Sequence, residues 1–297
     1  WGVLITTFDV LLLLMLQQKG FRYMEALVIV LIGTIATCFG LELIFSKPEI
    51  AAVLGGFLPT TSVITDPGKL FIAVGILGAT VMPHNLYLHS SIVQTRRYSL
   101  DVAGKREAIR FATIDSNIAL TIALAINAAI LILSAATFHR AGRTDIAEIQ
   151  EAYHLLTPML GITGASTLFA VALLAAGQNS TLTGTMAGQI IMEGFVNIRI
   201  PAWARRLLTR LIAIIPAVIV IAIAGDKATT HLLLLSQVIL SMQLSFAVIP
   251  LIQFTGSQRI MGEFVDPLWV RGIGWLMAAA IVALNIWLLV LQFSSTT

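Results

Sequence analysis

The sequence predicts an all-α integral membrane protein. Of its 297 residues, 58% are hydrophobic and only 11% are charged, whereas a soluble domain carries about 25% charged residues. So few charged side chains cannot cover the surface of a soluble globule of this size. The composition therefore argues against a cytosolic enzyme, a disordered chain and a secreted scaffold, and the single cysteine, Cys38, can form no internal disulfide.

Apolar runs long enough to cross a bilayer as helices recur along the chain. We expect eight spans, at 2–17, 24–45, 70–93, 111–138, 163–190, 207–225, 229–254 and 271–293. The alternating ten-residue segments of an outer-membrane barrel do not recur. The chain begins at Trp1 inside an apolar stretch, with neither an initiator Met nor a charged signal-peptide region. We therefore expect a fragment that is truncated at its N-terminus.

The basic residues follow the alternation of the loops. Thirteen of the 18 Lys and Arg residues lie in the loops at 18–23, 94–110, 191–210 and 255–271, and five lie on the other side. The positive-inside rule then predicts that these four loops are cytoplasmic, in a multi-pass protein of the inner (plasma) membrane. Because the basic residues track topology, a nucleic-acid partner is not expected. The outward loop at 139–162 is predicted to be partly helical and amphipathic.

The span 70–93 is interrupted by the run from Gly78 to Asn85. Pro83 removes a backbone donor and leaves carbonyls near Ala79 unpaired. In lipid such carbonyls are tolerated mainly where they line a cavity, and a discontinuous helix is a common way to build an ion site in a transporter. A proline kink that serves packing alone is the other interpretation.

Side chains beside this break offer metal and proton chemistry. The Met82 thioether is a soft ligand that suits transition metals better than Ca²⁺ or Mg²⁺, although most buried Met residues only fill gaps. His84 and His89 follow on the same span, where an intramembrane His often marks a proton path or a metal ligand. We expect one of them, His84, to be functional.

Polar residues also interrupt two later spans. The run from Gln178 to Gln189 is rich in small and hydroxylated residues and predicts close helix packing. In the span 229–254, Gln237 and Ser241 share a face, whereas Gln243 points elsewhere. An amide oxygen of this kind can bind a cation or bridge helices. Glu42 lies near a span end, so we expect a solvated carboxylate there.

Three ordered motifs resemble the signatures of the natural resistance-associated macrophage protein (Nramp) family of proton-coupled manganese and iron transporters. They are Met82-Pro83-His84-Asn85-Leu86-Tyr87-Leu88-His89-Ser90, the run from Gly177 to Thr185 with its continuation to Phe195, and Ser236-Gln237-Val238 with Gln243-Leu244. The resemblance covers essentially the whole chain and indicates a bacterial member.

The resemblance implies a LeuT-like inverted-repeat fold. The eight spans match family helices four to eleven, with the sixth broken at Ala79–Pro83. The chain is then a single transmembrane domain over 1–297, with the end of the first repeat at 1–45, the second inverted repeat at 70–254 and an extra C-terminal helix at 271–293.

The same resemblance implies a function and a site. The family imports Mn²⁺ and Fe²⁺ with protons by alternating access, and its metal ligands match Ala79, Met82 and Gln237. Groups linked to the proton path or gating match or neighbour His84, His89, Arg96, Arg205, Arg206 and Arg210. The expected partners are divalent metal ions, protons and the lipid bilayer, with no resident cofactor and no obligate protein partner evident.

The chain departs from the family in one large respect. The metal-binding Asp-Pro-Gly-Asn motif of the family's first helix has no counterpart in any predicted span. Asp66-Pro67-Gly68-Lys69 copies three of its letters but lies in an outward loop, where it predicts only a turn before a span. We expect half of the metal shell to be missing, so that the chain alone can be inactive.

Two other classes of function compete with metal transport. An amino-acid transporter of the LeuT type, or a metal channel, would share the architecture, and Met82 is the residue that distinguishes a metal site from a site for a carboxylate. An intramembrane zinc protease would need a His-Glu-x-x-His pair, which does not occur. A P-loop is also lacking, so neither an enzyme nor direct ATP drive is expected.

Overall fold

The computed structural model describes residues 21–58, 60–146, 148–196 and 229–294, with scattered positions between 204 and 219. All regular structure in these residues is helical. The predicted span at 2–17 lies outside them, and the one at 207–225 lies mostly outside. The helices are α1 (Phe21–Ser46), α2 (Ile50–Gly56), α3 (Ser62–Thr65), α4 (Pro67–Thr80), α5 (Pro83–Val93), α6 (Val102–Thr137), α7 (Ile149–Leu160), α8 (Ala165–Ile191), α9 (Thr229–Thr255), α10 (Gln258–Met261) and α11 (Leu268–Ser294).

Five of the described segments are long and apolar enough to cross a membrane. They are Arg22–Ser46, Pro67–Val93, Val102–Ala141, Leu232–Thr255 and Leu268–Leu291. Each coincides with a span predicted from the sequence. α8 is also 27 residues long, but the polar run from Gln178 onwards lowers its hydropathy, so its predicted span is confirmed only as a helix.

The described residues divide between two compact units. One draws on residues 1–58 and 107–230, and the other on 59–106 and 231–297. In the first unit α1 packs along α8, and their apolar faces close a core with α6. The rings of Phe39 and Phe169 meet edge-on there, with centroids 6.2 Å apart. In the second unit α4 packs against α9 and α11 through Leu70, Val74, Val238 and Leu288.

Contacts at the helix ends agree with the predicted alternation of the loops. Within the second unit, Arg106 lies 3.6 Å from the Glu263 carboxylate, which joins the loops at 94–110 and 255–271. The Trp287 indole donates to the Ile64 carbonyl over 2.9 Å, so the far end of α11 lies beside the loop at 46–69. The loops at 94–110 and 255–271 therefore lie beside each other, and the loop at 46–69 lies at the opposite end of α11.

Glu42 corrects an expectation from the sequence. Its side chain is 0% exposed. Neither carboxyl oxygen makes a hydrogen bond of good geometry within the described residues, although the Phe169 backbone of α8 lies near enough to interact with it. The expected solvated carboxylate is wrong because Glu42 lies on the face of α1 that packs against α8, so tertiary contact removes it from solvent despite its place near the span end.

Replacing Glu42 by an apolar residue should stabilise the fold. We expect Glu42→Met to raise the free energy of unfolding by about 1–3 kcal/mol, since a buried carboxyl with incomplete hydrogen bonding is costly and Met has a similar volume. Thermal unfolding in detergent measures this. The control is Glu107→Met at an exposed position, which should stay within about 0.5 kcal/mol. A fall in stability for Glu42→Met alone would show that the carboxyl has a partner.

The loop between α6 and α8 folds as predicted into an amphipathic helix, α7. Leu156 is buried beside Phe138 and Ala165, whereas Tyr153 stays partly exposed. Ahead of this helix, Arg143 donates to both carboxylate oxygens of Asp145 over 2.9 and 3.0 Å. This hydrogen bonding holds the pKa of Asp145 below its ordinary value.

The Arg143–Asp145 pair predicts a small pH effect. A carboxyl with a lowered pKa adds stability above its unfolded pKa, near pH ~4, and that stability is lost as the pH falls through the folded pKa. Because Arg143→Gln removes this partner of Asp145, we expect the variant to lose less thermal stability than the wild type between neutral and acid pH. The difference should be small, since solvent screens exposed ion pairs. Unfolding of both proteins from about pH 6 to about pH 3 measures it. A wider gap in the variant would contradict the prediction.

Candidate metal-binding site

The predicted break lies between α4 and α5. Asp66 caps the start of α4 by accepting from the backbone N–H groups of Gly68 and Lys69 over 2.8 and 3.2 Å, which confirms the turn expected there. The helix ends at Thr80, and Met82 has extended backbone angles (φ −82°, ψ 129°). The chain turns helical again at Pro83, so two non-helical residues, Val81 and Met82, separate two helices within one apolar span.

Proline explains why the chain breaks at this position. The Ala79 carbonyl would accept a helical hydrogen bond from the N–H four residues later. That residue is Pro83, which has no N–H, so the bond cannot form. Two residues earlier the ladder is still intact, because the Val81 N–H donates to the Leu77 carbonyl over 2.9 Å. The Ala79 carbonyl is thus left as an acceptor in the middle of the span.

Gly78 brings this break against α9. A Cβ atom added at Gly78 would lie 1.9 Å from the Gln237 carbonyl oxygen and 2.8 Å from the Ser241 nitrogen. No side chain fits at such distances, so α4 and α9 touch backbone to backbone. The contact places the residue before Ala79 directly on the helical turn that begins at Gln237.

The Gln237 side chain supplies a free oxygen. Its Oε1 atom is buried and has no hydrogen-bond partner in the described part of the chain, while its Nε2 lies 3.5 Å from the Ser236 hydroxyl. A buried acceptor without a partner is costly unless a ligand or water satisfies it. An amide oxygen is also a suitable ligand for a cation, so the orphaned atom fits the predicted role of Gln237.

The other predicted residues lie along α5 and beyond it. Met82 is half-buried at the start of α5, and His84 is half-buried in its first turn. His89 is exposed about 7.5 Å beyond His84 along the axis, and Arg96 follows the helix at an exposed position. Arg205, Arg206 and Arg210 lie outside the described residues.

The donor set at the break is mixed. In the described residues, no group of three or more His, Cys, Asp or Glu side chains is placed to hold a metal ion. The candidate ligands are instead a carbonyl oxygen at Ala79, a thioether at Met82 and an amide oxygen at Gln237. Two oxygens and a sulfur suit a borderline transition metal better than a hard cation.

The polar run of α8 has a different role. Hydroxyls of Thr181, Thr183 and Thr185 donate back to carbonyls of their own helix, over 2.7 to 3.0 Å to the fourth residue before. An added Cβ at Gly184 would meet no atom within 4 Å, so this glycine is not a point of close contact, whereas Leu182, Thr185 and Ala187 of the same run are buried by packing. The hydrogen-bonding needs of these hydroxyls are met within α8. In sequence they lie far from the helix break at Val81–Met82.

Two residues contribute to the site beyond those predicted. Gly78 does so because its lack of a side chain allows α9 to approach. Asn285 does so from α11, through its hydrogen bonds with Ser241. An Asn in the middle of the apolar span 271–293 was a usable signal, because polar side chains are rare inside membranes and usually have a partner.

Comparison with known proteins gives a consistent result. The family described as Natural resistance-associated macrophage protein-like matches residues 1–291. A divalent metal cation transporter MntH of Nostoc sp. is 60% identical over 289 residues, which are 97% of this chain and 65% of that protein. The MntH of Listeria monocytogenes is 59% identical over 295 residues, or 99% of this chain and 66% of the relative. The chain thus spans about two thirds of the length of these relatives.

A solved structure shares the fold. The Eremococcus coleocola manganese transporter, crystallised with an aromatic bis-isothiourea substituted compound, superposes with a TM-score of 0.80 at 40% identity, over 95% of this chain and 62% of that one. This match confirms the all-helical, LeuT-like transporter fold expected from the sequence.

Proposed function

This chain belongs to the Natural resistance-associated macrophage protein-like family, and on that premise we propose that it is part of a secondary transporter for divalent transition-metal ions. The substrates are Mn²⁺ and Fe²⁺, and the protein is a membrane transporter rather than an enzyme. The names of its relatives, divalent metal cation transporters and a manganese transporter, support the substrate class.

One observation carries the proposal. The helix break at Val81–Met82 follows closely after Gly78 on the same span. Gly78 contacts the backbone of the turn of α9 that bears Gln237. Adjoining segments therefore carry the three proposed donors. These are the Ala79 carbonyl, which lacks its helical donor, the Met82 thioether and the unpartnered amide oxygen of Gln237. Such a set has donors for a metal ion but only a partial shell, which agrees with ligands coming from the part of the relatives that this chain does not span.

Uptake is proposed to run inward with protons by alternating access. Protons are the coupling ion, and His84, His89, Arg96, Arg205, Arg206 and Arg210 are proposed for the proton path or for gating. His84 has the best position of the described members, because it is half-buried two residues after Met82. We also propose a plasma-membrane location with the loops at 18–23, 94–110, 191–210 and 255–271 in the cytoplasm, as the distribution of Lys and Arg predicts.

A pair of glutamines on one helix tests the site. In a form extended upstream of Trp1, we expect Gln237→Ala to raise the KM for Mn²⁺ uptake about tenfold, since loss of a ligand worth about 1.4 kcal/mol weakens binding by that factor. Gln243→Ala is the matched control, because Gln243 lies on the same helix at an exposed position, and its KM should change less than twofold. Equal effects of the two substitutions would remove Gln237 from the site.

A further inference from the structure

Asn285 makes a buried two-way contact between α11 and α9. Its Nδ2 donates to the Ser241 carbonyl over 3.1 Å, and the Ser241 hydroxyl donates to its Oδ1 over 3.2 Å. Ser241 is fully buried and Asn285 is 6% exposed. An amide placed in an apolar span is costly, and here both ends of the amide are used against a single residue of the neighbouring helix.

The contacted residue lies one helical turn after Gln237. Positions four apart on a helix lie one above the other on the same face, so the Ser241 and Gln237 side chains belong to the same edge of α9. A carbonyl that accepts a side-chain donor as well as its helical one is fixed in direction by both. Asn285 therefore restrains the turn 237–241 from the α11 side.

The same turn is held from the other side by α4. The backbone of Gly78 lies against the Gln237 carbonyl and the Ser241 nitrogen, at the close distances given above. The apolar contacts of Val74 with Val238 and of Leu288 with this cluster continue the packing. One turn of α9 is thus enclosed between the end of the broken helix and an amide of α11.

We propose that Asn285 is a positioning residue for the metal site. By holding Ser241, Asn285 fixes the rotation of α9 about its axis and its position along that axis. The amide oxygen of Gln237 is thereby directed at the break between Ala79 and Met82. Asn285 itself contacts no metal. The inference rests on the proposed function and deepens it, because it assigns the geometry of one ligand to a residue of the C-terminal helix.

A positioning role differs measurably from a purely structural one. Loss of a buried polar pair that only holds helices together would lower the amount or stability of folded protein and leave the metal affinity of the folded fraction unchanged. Loss of a positioning contact instead raises the KM for metal, and it does so only while Gln237 is present to be positioned.

The experiment is a double-mutant cycle of Mn²⁺ uptake in proteoliposomes, using the native polypeptide that contains these residues. The variants are Asn285→Leu, Gln237→Ala and both together, with rates normalised to folded transporter. We expect Asn285→Leu to raise the KM about tenfold and to add less than twofold in the Gln237→Ala background, since residues that act through one contact are not additive. Ile286→Ala, exposed on the same helix, is the control and should leave the KM unchanged.

Hydrogen–deuterium exchange gives a second measurement that needs no transport. Amides in peptides covering 237–245 should exchange faster in Asn285→Leu than in the wild type, and those of α1 should not change. This inference alone would be overturned if Asn285→Leu left the KM for Mn²⁺ at the wild-type value. It would also be overturned if the KM of the double variant rose by the product of the two single effects. A wild type that neither binds nor takes up Mn²⁺ would overturn the proposed function, and with it the positioning role.

Discussion

Met82→Ala should reverse the metal preference of the transporter. We expect the KM for Mn²⁺ to rise about tenfold, while Ca²⁺ becomes an effective substrate or inhibitor. The reason is chemical: a thioether favours transition metals and gives nothing to a hard cation, so its removal leaves a shell of oxygens.

The measurement is Mn²⁺ and Ca²⁺ uptake by the same proteoliposomes, which hold a form extended upstream of Trp1 because that is the form we expect to be active. Met277→Ala is the matched control, since Met277 is exposed on α11 and should leave both rates unchanged. If Met82→Ala keeps the selectivity of the wild type, the sulfur is not a ligand and the break serves packing or another substrate, such as the carboxylate of an amino acid.

Gly78→Ala should be the most damaging single methyl group in the second unit. Its Cβ would lie 1.9 Å from the Gln237 carbonyl oxygen, so α4 and α9 must move apart. Overpacking of this kind typically costs about 1–3 kcal/mol, and here it also displaces a proposed ligand. We expect Mn²⁺ uptake to fall more than tenfold per folded transporter.

Gly75→Ala provides the control one turn earlier on the same helix. Its added Cβ would meet Val238 and Leu234 at 3.7 and 3.8 Å, which is ordinary van der Waals contact. Uptake by Gly75→Ala should therefore stay within about twofold of the wild type, because no neighbour has to move. Similar losses at Gly75 and Gly78 would show that the close backbone contact is not specific to the metal site.

The break between α4 and α5 could be predicted from the sequence because its cause is local. Pro83 removes a donor whatever surrounds it, and the apolar residues on both sides require the interrupted helix to cross the membrane. The membrane class and the five described spans followed from composition in the same way. The ligand residues themselves came from the resemblance of three motifs, and they stay predictions.

The contacts between helices could not be predicted, because they depend on which faces meet. Glu42 has the sequence context of a solvated span end, yet packing against α8 buries it completely. Gly78 and Asn285 are ordinary letters in their own spans, and their roles exist only because α9 lies between α4 and α11. A periodicity argument places residues on a face of a helix but does not say what that face touches.

Uptake of Mn²⁺ into proteoliposomes under an inward proton gradient tests whether this chain supplies part of a metal-transport site. The 297-residue chain is compared with a longer form that carries additional sequence upstream of Trp1, with Ca²⁺ as the control ion. We expect gradient-driven Mn²⁺ uptake by the longer form, little or none by the 297-residue chain, and no Ca²⁺ uptake by either. Full uptake by the 297-residue chain would contradict the view that Ala79, Met82 and Gln237 are only part of the metal shell, and no uptake by either form would contradict the proposed function itself.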